Sequence, residues 1–392
     1  MPASQKTALF NLGFRPFFLS AALFSVASIV LWTLYYSYSW SAQPAYMTTM
    51  QWHAHEMIFG YAMAVVAGFL LTAVRNWTGV ATISGLPLML LLLGWAVARA
   101  LPFAGLDVPL IVMAVLDCLF LGGLLVAITI PVAKSKQWKQ IGILSKILLI
   151  LVANILFYAG LGGYVEGGIR WGLYGGFYLI LALVFMMARR VIPFFIEKGL
   201  GGSVRVQNSR LLDISSLVIF LVFMIADIVQ PDGVLTMILA SMLLLLHSLR
   251  LYGWYCHAIW RVPMLWVLYV AYIFLVLGFA LKAAGWWLGV SPFLSLHAFA
   301  YGGVGLMTLG MMARVSLGHT GRDISQPPAV MPWAFAILAA GALCRVMMPL
   351  LMESEYLLWV KVSQFCWLLA FGLFILSFTT ILLRPRVDGQ SG

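Results

Sequence analysis

Long apolar stretches alternate with short polar segments along almost the whole chain. Twelve stretches approach the ~20 residues that an α-helix needs to cross the hydrocarbon core of a bilayer. The predicted spans are 17–38, 54–74, 84–102, 108–131, 141–163, 170–190, 211–230, 234–253, 263–287, 291–315, 330–351 and 357–383. The segments between them are short and contain no low-complexity region. The pattern therefore predicts an all-α polytopic membrane protein, with residues 1–392 forming a single integral membrane domain.

The composition agrees with this pattern. Hydrophobic residues make up 63% of the chain and charged residues 9%, and the mean hydropathy is +1.02. A soluble domain has about 25% charged residues, so a soluble enzyme, a disordered chain and a disulfide scaffold are excluded. The cysteines form no C-x-x-C pair and are predicted to be small core residues: Cys118, Cys256, Cys344 and Cys366.

The basic residues indicate the orientation in the membrane. The formal net charge of +11 would suggest a nucleic-acid partner in a soluble protein. Here the basic residues lie between apolar runs, so no nucleic acid is expected and the charge is interpreted as topology. With the N-terminus in the cytoplasm, 18 of the 23 basic residues fall at inner ends. The outer ends hold the other five: Arg99, Arg170, Lys282, Arg345 and Lys361. The outer loops collect Asp107, Glu166, Asp232, Glu353 and Glu355. Both termini are therefore predicted to be cytoplasmic.

Short sequence echoes suggest an internal repeat. LTAVR at 71–75, MMARR at 186–190 and MMARV at 311–315 end spans two, six and ten. GWAVARALP at 94–102 and GALCRVMMP at 341–349 end spans three and eleven. Because echoing spans are separated by multiples of four helices, three four-helix units are predicted. Coincidence in a low-diversity apolar sequence is the alternative.

Histidines inside or beside the spans are the candidate metal ligands, because ionisable residues at membrane depth are usually functional. Three of them belong to the predicted outer side and two to the predicted inner side. The outer set opens span two and lies near the start of span ten, and the inner set lies near the ends of spans eight and ten. In chain order they are His53, His55, His247, His297 and His319.

The segment HAHE at 53–56 is the most concentrated of these signals. On a regular helix the two imidazoles diverge by about 200°, but at a helix start both can reach one metal, or each can serve its own centre. Imidazole suits copper and iron, including haem iron. Glu56 lies three residues after His53 and is predicted to orient that ring. Interfacial histidines bonded to water or backbone are the alternative.

Other charged or polar residues extend the candidate site. Arg99 and Arg345 lie near the outer ends of spans three and eleven, where a guanidinium can bind a haem propionate or snorkel to the headgroups. Asp117 lies in the middle of span four and is predicted to be paired or part of a proton path. Tyr301 lies one turn after His297. It is interpreted either as a phenol near a metal or as a packed aromatic side chain.

Four blocks of the sequence resemble the NnrS family. They are NLGFRPFF at 11–18, HAHEMIFGYAMAVVAGFLLTAVRNWTG at 53–79, RRVIPFF at 189–195 and MMARVSLGHTGR at 311–322. The resemblance extends from residue 8 to about residue 383. It implies a bacterial inner-membrane protein of twelve spans that contains haem and copper. It also implies a role in the response to nitric oxide and nitrosative stress, often in denitrifying bacteria.

The resemblance reaches individual residues. The family's blocks are matched at His53, His55, Glu56, His297, Arg314 and His319. Family members often carry a histidine in span nine where this chain has Tyr269, which weakens the case for an inner metal centre. Haem-copper oxidases also have twelve spans in three four-helix arcs, with histidines of spans two and ten on a haem, so their layout is an analogy.

The sequence therefore predicts a membrane protein that binds haem b and copper. His55 and His297 are the predicted haem ligands, with Arg99 and Arg345 on the propionates. His53 is a haem or copper ligand. The iron would bind nitric oxide or a related small ligand, and an unidentified protein would donate electrons. Whether the protein is an enzyme stays open. The alternatives are a transporter for a metal or a metal–nitrosyl species and a haem or metal insertion factor.

Overall fold

Twelve helices in the described part of the chain are long and apolar enough to cross a membrane, which confirms the predicted number of spans. The computed structural model describes residues 7–41, 43–103, 108–202 and 204–390, so Asp107 lies outside the described residues. The helices are Phe14–Tyr38 (α1), Thr49–Thr78 (α2), Leu86–Phe103 (α3), Leu110–Lys134 (α4), Trp138–Leu161 (α5), Gly168–Gly199 (α6), Arg210–Val229 (α7), Val234–Trp254 (α8), Pro263–Leu288 (α9), Pro292–His319 (α10), Met331–Leu351 (α11) and Glu353–Leu383 (α12). The protein is therefore a multi-pass membrane protein.

Helix α2 begins earlier than the hydropathy pattern predicts. Thr48 caps it: the Thr48 hydroxyl accepts from the Gln51 backbone N–H at 3.2 Å, and the Gln51 side chain accepts from the Thr48 N–H at 2.8 Å. Such a reciprocal pair satisfies two donors that a helix start leaves open. As a result, His53 and His55 lie inside a regular helical segment, Thr49–His55, and not at an irregular helix start.

Two features differ from the predictions made from local sequence. Span six was predicted to end at residue 190, yet α6 continues through Pro193 to Gly199. Membrane helices tolerate an internal proline, because neighbouring groups satisfy the backbone that the proline frees. The four cysteines are free thiols, as predicted, but their side chains are partly exposed and not fully buried in the core.

The chain forms two compact units. The first unit comprises Met1–Ile180, Met312–Asp323 and Phe374–Gly392, and the second comprises Leu181–Met311 and Ile324–Leu373. In the first unit α1 packs along α2, and α4 packs against α3 and α5. In the second unit α9 packs against α8 and α10, and α11 packs against the start of α10. The single domain and the threefold repeat stay predictions.

Arg15, from the block at 11–18, joins the first and last helices of the first unit. Its side chain is fully buried, and Nη1 donates to the carbonyl oxygens of Leu382 at 2.9 Å and Arg384 at 2.7 Å. The last carbonyls of a helix have no intrahelical donor, and a cation there also stabilises the helix dipole. Arg15 therefore completes the C-terminal end of α12.

We expect Arg15→Met to destabilise the protein by about 3 kcal/mol, since it leaves buried carbonyls without a charged donor. Thermal unfolding of the purified protein in detergent measures this loss. Arg384→Met is the control, because that side chain is exposed and only its backbone carbonyl contacts Arg15. Equal unfolding midpoints for the two variants would contradict this role.

Candidate functional site

Two of the predicted histidines stand immediately before a π-helical segment. His55 precedes the π-helix Glu56–Ala62, and His297 precedes the π-helix Ala298–Gly305. π-Helical turns account for well under 1% of residues and often occur at functional sites. Both segments share a spacing that was not among the predicted motifs: a histidine, an aromatic residue four positions later, and then a glycine.

The two glycines of this shared spacing are required by close approaches. A Cβ on Gly60 would lie 2.9 Å from Glu56 Oε2 and 3.1 Å from Arg99 Cδ. A Cβ on Gly302 would lie 2.3 Å from Cγ of Phe274 on the neighbouring helix. A side chain at either position would therefore displace its neighbours.

His55 is the centre of a buried polar network in the first unit. Its ring is 1% exposed. Nδ1 lies 3.1 Å from the Glu56 carboxylate, and Nε2 lies 3.0 Å from Asn154 Oδ1 and 3.3 Å from Asp117 Oδ2. The ring also stacks on Phe157 with centroids 4.5 Å apart. Both ring nitrogens of His55 are therefore engaged within the protein.

Arg99 binds the two carboxylates of the same network. Its Nη1 donates to Glu56 Oε2 at 2.9 Å, and its Nη2 donates to Asp117 Oδ1. Asp117 Oδ2 also accepts from Asn154 Nδ2 at 3.1 Å and from the Tyr158 hydroxyl at 3.2 Å. Asp117 is thus paired, which is one of its two predicted states. Glu56 was predicted from its spacing to orient His53, but it pairs with His55 and Arg99 instead.

His53 and His55 do not converge on one point. His53 stacks on Trp32, with centroids 4.3 Å apart and planes 9° from parallel, while His55 turns into the buried network. This divergence follows from the regular helix over Thr49–His55.

His297 and Arg345 form a second, simpler arrangement within the second unit. His297 Nδ1 lies 2.7 Å from the Phe293 carbonyl oxygen, four residues earlier, so it is the N–H donor of the ring. His297 Nε2 then carries the lone pair and lies 3.3 Å from Arg345 Nη2. Arg345 is 8% exposed, and its guanidinium lies over the Tyr356 ring at 5.5 Å.

Similarity to known proteins supports the resemblance seen in the four blocks. The family model described as NnrS protein matches residues 8–386. The chain belongs to the NnrS family. A comparison with curated proteins gives no match. Membership of the NnrS family fits a role in the nitric oxide response.

The remaining predicted residues of this NnrS chain have protein partners. In the first unit, His319 ends α10 and packs on Phe14, with centroids 5.7 Å apart. In the second unit, Tyr301 donates to the Ser363 carbonyl oxygen at 2.7 Å and packs on Trp367, as expected of a packed aromatic. Tyr269 donates to the Leu251 carbonyl oxygen at 2.9 Å.

The donor chemistry distinguishes the two histidine sites of this NnrS chain. A metal-bound imidazole uses one nitrogen for the metal and donates the other N–H to a carbonyl or carboxylate. His297 has its Nδ1–H on a carbonyl and a single contact at Nε2, from Arg345 at 3.3 Å, whereas the two nitrogens of His55 contact Glu56, Asn154 and Asp117. Within the described ranges, no group of three or more His, Cys, Asp or Glu side chains is arranged to hold a metal ion. The residues present therefore fit one histidine ligand to haem and do not fit a preformed copper site.

Proposed function

We propose that this protein is a haem-binding protein of the bacterial inner membrane that acts in the nitric oxide response, with its centre at His297 near the outer face. The observation that carries the proposal is the His297 ring: the Phe293 carbonyl fixes Nδ1 as the N–H donor, so the lone pair is on Nε2, which faces Arg345 at 3.3 Å. When bound there, haem b would supply an iron that binds nitric oxide and changes oxidation state.

The protein's own residues would orient and hold the group. The 2.7 Å bond to Phe293 fixes the tautomer of His297 and the direction of Nε2. Arg345 Nη2 lies 3.3 Å from Nε2, and this one contact would have to break for iron to bind there. A guanidinium binds a carboxylate through two parallel hydrogen bonds, so Arg345 suits a haem propionate.

The first-unit network has a different role in this proposal. His55 and Arg99 were predicted as a haem ligand and a propionate partner. Their bonds to Glu56, Asp117 and Asn154 would all have to break first. We therefore propose that this network holds α2, α3, α4 and α5 together at the start of the π-helix Glu56–Ala62. We assign no ligand residues to copper and propose no chemical step that uses it.

The test is the response of the purified, dithionite-reduced protein to nitric oxide. We expect the visible absorption bands to shift on addition of anaerobic nitric oxide, and to return on its removal, because haem held by His297 would supply an iron that binds nitric oxide. A haem-loaded protein whose spectrum does not change with nitric oxide would contradict a nitric oxide-binding centre.

A further inference from the structure

A small cavity lies in the second unit, bordered by α6, α7 and α8. Its volume is about 30 Å³, and a cavity needs roughly 10–15 Å³ to hold one water-sized guest. Its walls include Phe185, Met186 and Phe220, and its polar lining includes His247 and Arg250. The cavity therefore has space for a single small ligand.

The hydrogen bonds around His247 define its tautomer. Nδ1 lies 2.6 Å from the Tyr272 hydroxyl oxygen, and Arg250 Nη1 lies 3.2 Å from the same oxygen. A guanidinium only donates, and Arg250 Nη1 faces both the Tyr272 oxygen and, at 3.5 Å, His247 Nδ1, so Nδ1 is an acceptor and the Tyr272 O–H donates to it. A neutral ring with an acceptor Nδ1 carries its proton on Nε2. His247 therefore presents an N–H and not a lone pair.

This N–H has no acceptor in the described part of the protein. His247 is 1% exposed, and its Nε2 has no hydrogen-bond partner among the described residues. The ring packs against both Phe185 at 4.4 Å and Phe279 at 5.4 Å, and these contacts restrict its rotation. A buried donor without an acceptor is costly, which favours a bound guest that accepts a hydrogen bond.

The charges beside the cavity favour an anion. Asp213 pairs with Arg250 at 2.9 Å and with Arg189 at 3.1 Å, so the lining has two guanidinium groups and one carboxylate. Arg250 is 5% exposed, whereas the Asp213 and Arg189 side chains are about 30% exposed and form the mouth. A metal cation is disfavoured both by the excess positive charge and by the proton on Nε2.

We propose that this cavity binds one small monovalent anion of halide size. His247 Nε2–H donates to it, and the paired arginines provide the balancing charge. The site does not depend on haem and uses neither His297 nor Arg345. It replaces the earlier expectation that His247 is a metal ligand.

Chloride binding can be measured by the ³⁵Cl NMR line width of protein in nanodiscs. We expect protein-dependent broadening that bromide reverses and that sulfate, which is larger and divalent, leaves unchanged. His247→Phe should weaken binding at least tenfold, because it removes the donor. His257→Ala is the matched control, since His257 is exposed, and it should bind as the wild type does.

Two results would overturn the proposal. One is folded wild-type protein that gives no more broadening than empty nanodiscs. The other is His247→Phe protein that binds chloride as tightly as the wild type. If His247→Phe does not fold, anomalous scattering from bromide-soaked wild-type crystals decides the question. A bromide peak within hydrogen-bonding distance of His247 Nε2 supports the site, and a cavity holding only water or an uncharged molecule contradicts it.

Discussion

Replacing Arg99 with methionine is expected to abolish stable folding of the protein. The substitution leaves the Glu56 and Asp117 carboxylates, which are 1% and 0% exposed, without their guanidinium partner. Removing one partner of a buried ion pair typically costs 3–5 kcal/mol, and here two carboxylates lose the same partner. The expected result is little monodisperse protein in fluorescence-detected size-exclusion chromatography.

The controls separate this effect from a general loss of charge. Arg170→Met removes an arginine from the same predicted outer side, where its guanidinium lies over the Tyr174 ring at 4.8 Å. We expect that change to cost no more than about 1 kcal/mol. Asp117→Asn should cost less than Arg99→Met, because Glu56 still neutralises Arg99. An Arg99→Met protein that folds normally and only loses haem would instead place Arg99 on a propionate.

Replacing His297 with alanine is expected to remove haem from folded protein. Among the histidine sites described above, only His297 has an Nδ1 bonded to a carbonyl and an Nε2 that faces an arginine, at 3.3 Å. Loss of even an outer partner of a ligand typically reduces metal affinity 10–100-fold, so loss of the ligand should reduce haem content at least ~10-fold. The pyridine haemochrome assay measures this content in each purified variant.

Two further variants locate the ligand. His257→Ala, at an exposed position, should keep wild-type haem content. Arg345→Leu should retain His297 as a ligand but lose haem more readily on dilution, because the propionate partner is gone. Haem that is unchanged in His297→Ala and lost in a folded His55→Ala protein would move the ligand to the first unit.

The spans of this fold could be predicted from hydropathy alone, but their ends depended on contacts that hydropathy does not contain. Thr48 and Gln51 start α2 before its apolar residues begin. Pro193 lies within α6 because membrane helices accommodate internal prolines. Hydrogen bonds of the cap therefore set the start of α2, whereas α6 continues because a membrane helix tolerates Pro193.

Individual residues of the candidate site could be predicted, but the partner of each residue could not. Arg99, Glu56 and Asp117 stood out as charges inside apolar runs, yet hydropathy does not show which faces of these three consecutive helices meet. Asn154, which binds both His55 and Asp117, gave no signal as a single amide in an apolar span. The π-helices also depend on packing, as Gly302 against Phe274 illustrates, so only the repeated histidine–aromatic–glycine spacing could have indicated them.

The most direct test of a haem centre at His297 is the reduced-minus-oxidised absorption spectrum of the wild-type protein, purified after expression with ample haem supply. We expect a b-type spectrum with haem in near-stoichiometric amount. Folded, monodisperse protein that carries no haem under these conditions would contradict a haem centre at His297.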